Sequence, residues 1–318
     1  MNSSLTPILF LIFNRPDITK KVFEEIRKQK PKYLFIAADG PREEKAGDIQ
    51  KCKNAREITL GVDWDCELKT LFREKNLGSK YAVSSAITWF FDHVEEGIIL
   101  EDDCIPNPTF FPYCTELLNK YKDDLKIMHI SGCNLNDSLK FGSGSYYFSH
   151  YANTWGWATW KRAWNKYDLE LNDRKLYSKL ITSTFKYYSE RLFWNSRIEL
   201  INSNRVDAWD YQWLFSIWKE KGICLNSNYN LVTNIGFGPD ATHTTGESPF
   251  IDSETKYLVN INHPSSSQII EDAEIQFIRI AYDLQREGYL NYNFRKHLLQ
   301  RFYNLIHKTG LMKNDRKR

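Results

Sequence analysis

Short apolar runs alternate with helical spacings along the first part of the chain. Pro7 to Phe13 is a continuous apolar run that predicts a buried strand, and Asp17 to Lys28 carries Ile18, Val22, Phe23 and Ile26 on one helical face. Lys32 to Ala38 predicts a second strand, Pro41 to Thr59 a polar helix, and Cys66 to Arg73 a third strand. Gly78 to Val94 predicts a helix with Val83, Ile87, Phe90 and Val94 in register, and Ile98-Ile99-Leu100 suits a strand covered on both faces. Pro106 and Pro108 then open a helix running to Tyr121, and Lys126 to Ile130 is a further strand. Strands alternating with helices predict an α/β fold whose mostly parallel sheet is flanked by helices.

The second half is patterned differently. From Asn134 to Tyr151 the chain is rich in Gly, Ser and Asn and reads as an excursion across the surface, before a Trp-rich segment and several helices to Lys221. From about Ser265 the spacing is helical and amphipathic. No apolar run approaches the roughly 18 residues that a membrane span needs. Pro7 to Phe13 lacks a basic leader and a small-residue cleavage site, so a cytoplasmic protein is expected.

Composition adds three points. The net charge of +3 is too balanced for a broad nucleic-acid surface, and no nucleic-acid partner is expected. The charge is uneven, however: from Arg295 onward it is about +7, which suits either peripheral attachment to an anionic membrane or a solvated helix end. Six cysteines without a CxxC pair predict reduced thiols. Aromatic residues make up 15% of the chain, including ten Trp, and many fall between Tyr146 and Trp218, where rings either pack a core or stack on sugars.

In parallel α/β sheets the ligand site lies beyond the carboxyl ends of the strands. Those ends hold Asn14-Arg15-Pro16, Asp39-Gly40-Pro41-Arg42 and Glu101-Asp102-Asp103. Three successive carboxylates behind a buried strand repel one another unless a cation or donors meet them. They are either a solvated acidic turn or oxygen ligands for Mn²⁺ or Mg²⁺ bridging to substrate phosphates. Asp39 sits either in an ordinary strand-to-helix turn or against a ribose or base, and Arg15 either caps the sheet or pairs with phosphate. Neither a GxGxxG nor a P-loop motif is present.

Downstream, Asp210 stands among large aromatics in Trp209-Asp210-Tyr211-Gln212-Trp213, a setting that suits a general base, with Asp207 as the nearby competitor; either could instead cap a helix. Trp155-Gly156-Trp157 is either packing or a platform in which Gly156 leaves room for a ligand. His243, in a polar Gly-rich loop, is either solvated or able to complete a Mn²⁺ site.

The order of these motifs resembles GT-A glycosyltransferases, most closely the N-acetylglucosaminyltransferase I type and bacterial polysaccharide-cluster glycosyltransferases, over roughly Pro7 to Glu247. The resemblance implies that Asp103 contacts the metal, that Glu101 and Asp102 face donor sugar and ribose, and that Asn14, Arg15 and Asp39 line the nucleotide site. It places the catalytic base at Asp210, although the family carries two adjacent Asp after the Trp, which leaves Asp207 open. The expected divisions are a catalytic domain over 1–264, with a nucleotide-sugar half to about 133, and a basic helical extension over 265–318. The expected activity is a metal-dependent, inverting transfer from a nucleotide-diphospho-sugar, UDP-sugars favoured, to a glycan or glycolipid hydroxyl in surface polysaccharide synthesis. Gly40, Arg42, Trp155, Gly156 and Trp157 complete the expected donor site, and His243 the metal site. The alternatives are a sugar-phosphate nucleotidylyltransferase, which should carry a Gly-rich basic loop after strand one where this chain has Phe13-Asn14-Arg15-Pro16, and a non-catalytic carbohydrate-binding protein.

Overall fold

The computed structural model describes residues 5–136, 139–236 and 253–282. In chain order the elements are β1 (Ile8–Ile12), α1 (Pro16–Gln29), β2 (Tyr33–Ala38), α2 (Asp48–Thr59), β3 (Glu67–Phe72), α3 (Gly78–Phe91) and β4 (Glu96–Glu101). They continue with β5 (Cys104–Pro106), α4 (Phe110–Tyr121), β6 (Ile127–Ser131), β7 (Tyr146–Ser149), β8 (Trp157–Trp160) and α5 (Lys161–Trp164). The last are α6 (Arg174–Thr184), α7 (Tyr188–Asn202), α8 (Asp210–Lys219), β9 (Ile223–Ser227), β10 (Val232–Asn234) and α9 (Glu271–Tyr282).

Eight strands form one sheet in the order β3-β2-β1-β4-β8-β6-β9-β7. β1, β2, β3, β4, β6 and β9 share one direction, and β8 and β7 run against them. The chain is therefore α/β with a mostly parallel central sheet flanked by helices, as its alternating pattern predicts. The interior strands are apolar on both faces: every residue of β1 is buried, and Ile98, Ile99 and Leu100 of β4 are inaccessible. β3 pairs with β2 alone and alternates exposed and half-buried positions, as an edge strand does. After β1 the chain moves one way to β2 and β3, while β4 lies on β1's other side. That reversal opens a crevice beyond the carboxyl ends of β1 and β4.

Two expectations change. The polar helix starts at Asp48, not Pro41, because Gly47 takes the left-handed conformation (φ 82°) and breaks the chain direction just before it. The Asn134–Tyr151 segment is not a plain surface excursion, since Tyr146–Ser149 forms the fully buried strand β7 against β9. The tight Gly and Ser chemistry around it masked a four-residue apolar strand. β8, with sequence Trp-Ala-Thr-Trp, inserts between β4 and β6, where Ala158 faces both Ile98 and Ile130.

The tryptophans mostly build core. Trp157 is inaccessible, stacks on Trp209 (5.6 Å) and His129 (5.0 Å), and joins Trp164 and Trp213 in one aromatic block. α9, within the expected C-terminal extension, packs Phe277 and Ile278 into the same core, and Glu274 accepts from the His150 backbone N–H (2.7 Å). Among the described residues no helix is long and apolar enough to cross a membrane.

His129 lies at the centre of the aromatic block. Its Nε2–H donates to the Asn153 carbonyl (2.9 Å), and Nδ1 accepts from the Trp213 indole N–H (3.2 Å). A proton on Nδ1 would meet another donor, and burial holds the imidazole down at about 3. The unfolded chain takes up that proton near pH 6.5, so this stability is present above 6.5 and lost as pH falls toward 3. Lowering pH from 7.5 to 5 should cost the wild type about 2 kcal/mol more than His129→Gln, read by urea unfolding at both pH values. Parallel pH dependence of the two proteins would remove His129 as the cause.

Candidate active site

A cavity of about 590 Å³ opens beyond the ends of β1, β2 and β4. Its floor is Leu11, Ile12, Ala37 and Ala38, and its acidic wall is Glu101, Asp102 and Asp103. The opposite wall comes from the second half of the chain, where Asp207, Asp210 and Tyr211 face inward with Arg197 of α7.

The acidic wall holds together through Arg15, the residue just before α1. Its guanidinium bonds the buried Asp102 and reaches Asp103 at 3.0 Å. Asp102 also accepts from the Phe13 backbone N–H (3.3 Å). Burial alone would lower the proton affinity of Arg15, but Asp102 and Asp103 together hold it above its ordinary value. Burial raises Asp102 even against the pull of Arg15. Glu101 is pushed up further by burial and by the charges of Asp103, Asp102 and Asp210. The last contribution puts Asp210, at the first position of α8, within electrostatic reach of the β4 carboxylates.

Asp103 is gripped from the far side by the second half of the chain. β10 pairs antiparallel with β5 in a small separate sheet, matching Asn234 to Cys104, and the Ile235 N–H bonds the Asp103 carbonyl (2.8 Å). Gly236 then passes so close that a Cβ there would stand 2.0 Å from Asp103 Oδ2. Only a glycine lets the backbone cross at that distance.

The N-terminus of α3 receives two carboxylates from distant parts of the chain. Asp39, at the end of β2, accepts from the backbone N–H groups of Gly40, Leu77 and Gly78 and from Asn76 Nδ2 (2.8–3.2 Å). Burial still raises its proton affinity, against those amides. Asp207 accepts from the Ser79 and Lys80 N–H groups at 3.0 and 2.9 Å. Gly78 (φ 77°) makes the approach possible, since a Cβ there would lie 2.7 Å from Asp207 Oδ2.

Of the expected site residues, Arg15, Asp39, Arg42, Glu101, Asp102, Asp103, Trp155, Asp207 and Asp210 line this one cavity. Four do not. Asn14 turns away to Asp48 (2.7 Å), and Gly40 packs against the Lys75 backbone, where a Cβ would meet the carbonyl carbon at 2.2 Å. Trp157 is sealed in the core, and the space beside Gly156 (φ 68°) is filled by Val232, 2.6 Å from an added Cβ, so it leaves no room for a ligand. Both oxygens of Asp207 accept from α3 amides, which anchors the segment leading to Asp210. His243 and the basic tail lie outside the described residues. Among the described residues no group of three or more His, Cys, Asp or Glu is arranged to hold a metal ion.

The cavity also uses residues that carry no signal in the sequence. Arg197 sits inside a helix with no motif around it, and Asn76 joins the site because Asp39 folds back on it. Gly236 belongs to a Gly-rich loop that was legible, although its partner Asp103 lies far away in the chain. Removing the second anchor of α3, Asp207→Ala should cost about 1 kcal/mol, the usual loss for a helix N-cap, in urea unfolding. Asp207→Asn should keep much of it, and equal losses for both variants would mean that the amide contacts do not carry the effect.

No family model and no curated protein sequence matches the chain. Among solved structures it is similar to UDP-glucose pyrophosphorylase complexed with UDP-glucose, at 10% identity over 70% of this chain and 90% of that one, TM-score 0.37. It is similar also to a cytidylyltransferase from Leptospira borgpetersenii serovar Hardjo-bovis, at 10% identity over 64% and 74%, TM-score 0.33. The WbbM bifunctional glycosyltransferase matches at 10% identity over 70% of this chain but 38% of its own, TM-score 0.32. These are nucleotidyltransferases and a glycosyltransferase; at such TM-scores the likeness carries no argument about activity.

Proposed function

We propose that the chain is a GT-A-like glycosyltransferase that moves a sugar from a nucleotide-diphospho-sugar, a UDP-sugar by preference, to a hydroxyl of a glycan or glycolipid in surface polysaccharide synthesis. One observation carries this reading: the Glu101-Asp102-Asp103 wall and Asp210, from opposite halves of the chain, face one crevice at the point where the strand order reverses. A donor held at one wall and an acceptor held at the other would meet between them. The nucleotidylyltransferase alternative lacks its expected loop, since Phe13-Asn14-Arg15-Pro16 contains no glycine and its arginine is already tied to Asp102.

A divalent metal at the acidic wall belongs to this reading, held by one or two carboxylates and not by a full protein cage. The donors are hard carboxylate oxygens, and Mg²⁺ or Mn²⁺ commonly takes one or two of these and completes its shell with water and substrate phosphates. Asp103 would hold it, against the backbone cradle that Gly236 leaves open. When bound, the metal would supply positive charge for the departing diphosphate. Arg15 orients the carboxylates from behind, and Asp39 and Arg42 flank the nucleotide end of the cavity. Asp210 takes the proton from the acceptor hydroxyl as that oxygen attacks the anomeric carbon, a contribution of about 10²- to 10⁴-fold. Attack from the face opposite the leaving diphosphate inverts the anomeric centre, and NMR of the product tests that directly.

The primary test is a thermal-shift panel of UDP, GDP, CMP and dTDP, each with Mn²⁺ or EDTA. A nucleotide at 100 times its Kd should stabilise the fold by roughly 2.7 kcal/mol. One nucleotide shifting the melt with Mn²⁺ alone supports the donor site; no shift with any of them defeats it. Asp103→Ala should abolish the metal-dependent part of that shift. Asp210→Asn should keep nucleotide binding and lower transfer by about 100-fold or more; a loss of nucleotide affinity would make Asp210 part of the donor site instead.

A further inference from the structure

Arg197 is the cavity's least satisfied cation. It stands on α7, its guanidinium carbon 4.5 Å from the centroid of the Phe193 ring, and it lines the cavity together with Tyr211. Its Nε is buried with no hydrogen-bond partner among the described residues, and no described carboxylate forms an ion pair with it. Arg15, on the other wall, is by contrast bound to two carboxylates. A half-buried guanidinium at a cavity wall without a carboxylate partner is costly to desolvate unless an anion meets it.

From this we infer that Arg197 receives an oxyanion, a carboxylate or a phosphate, carried by the acceptor. The inference rests on the donor-and-acceptor reading above and names the acceptor's chemistry. Three features favour an anion over a neutral hydroxyl. The planar guanidinium presents a fork of donors matched to two oxygens, and the Phe193 ring packed against it restricts its plane. Burial, then the charge of Asp210, raises the proton affinity of Tyr211, so its hydroxyl stays protonated beside the same position as a second hydrogen-bonding group. The location favours the acceptor over the donor. Tyr211 directly follows Asp210 at the start of α8, so an anion at Arg197 would sit beside the group that receives the acceptor's proton.

The test uses ligand-observed NMR titration of the full chain with methyl β-D-glucuronide, glucose 1-phosphate and methyl β-D-glucoside, each with and without UDP and Mn²⁺. The wild type should bind at least one anionic probe about tenfold more tightly than the neutral glucoside, and comparison of the two anionic probes tells carboxylate from phosphate. Arg197→Gln should bring all three within about twofold, while Arg197→Lys, which keeps the charge, should retain part of the preference. UDP affinity should be the same in all three proteins. Equal or undetectable binding of the probes to the wild type overturns the proposal, as does a preference that survives Arg197→Gln. Weakened UDP binding with the probe preference unchanged would move Arg197 to the donor. Absence of nucleotide binding in the wild type defeats the donor reading by itself and leaves the probe comparison standing.

Discussion

The arrangement turns on placing three consecutive carboxylates at the end of an inaccessible strand. Ile98, Ile99 and Leu100 commit β4 to the middle of the sheet, and the next residues must then emerge as Glu101, Asp102 and Asp103 at the crevice. Like charges so close cannot all ionise freely in a partly dry site, and the fold answers in two ways. Arg15 delivers one positive charge shared by Asp102 and Asp103, while Glu101 has its proton affinity raised. One guanidinium against three acids leaves the wall ready for further positive charge. Removing Arg15 from a nearly buried pair would cost far more than a surface ion pair is worth, because Asp102 cannot return to water.

The second constraint is that the two halves of the chain must be held in register across the cavity. Two short contacts do this. β10 clamps β5, fixing Gly236 over Asp103, and Asp207 docks on the first turn of α3. The helix N-terminus, with its unpaired amides and partial positive charge, could have served an anionic ligand; here it is filled by Asp39 and Asp207. It thereby ties the segment before α8 to the end of β2 and the first turn of α3, so that Asp210 starts a helix whose position is set from both ends. Trp209, stacked on Trp157, fixes the same turn from the core side.

Much of this was legible in the sequence wherever one segment carries its own pattern. The strands β1, β2 and β4 are unbroken apolar runs, and the acids and turns at their ends declare the crevice. Asp103 and Asp210 stand out by their neighbours in the chain, and both line the one cavity. What could not be read are relationships between segments. The insertion of β8 between β4 and β6 depends on a small Ala158 fitting under two isoleucines, which no local period encodes. Trp157 and Trp155 look alike in the chain, yet one is sealed against His129 and the other faces the cavity, because Trp157 opens β8 while Trp155 lies before it, across the left-handed turn at Gly156 (φ 68°). Asp207 resembled a candidate base until its amide partners, 127 and 128 positions away, could be seen.

The same distinction between local pattern and long-range pairing explains why the cavity is polarised. Its run of three acids comes from one strand end and is visible in the sequence, while Arg197 comes from the interior of α7, where no motif marks it. Two opposite fields across a narrow, partly dry cleft act more strongly than they would in water, and they sort a ligand's charges before any contact is made. Under the proposed function, a metal-neutralised diphosphate at one side and a separate anion at Arg197 would match that polarity in a single orientation. Reversed, each negative group would face either uncompensated carboxylates or an apolar floor of Leu11, Ile12 and Ala37. On that proposal, orientation in this cleft would be set by where charge is left uncompensated, and shape would need only to fill the remaining volume.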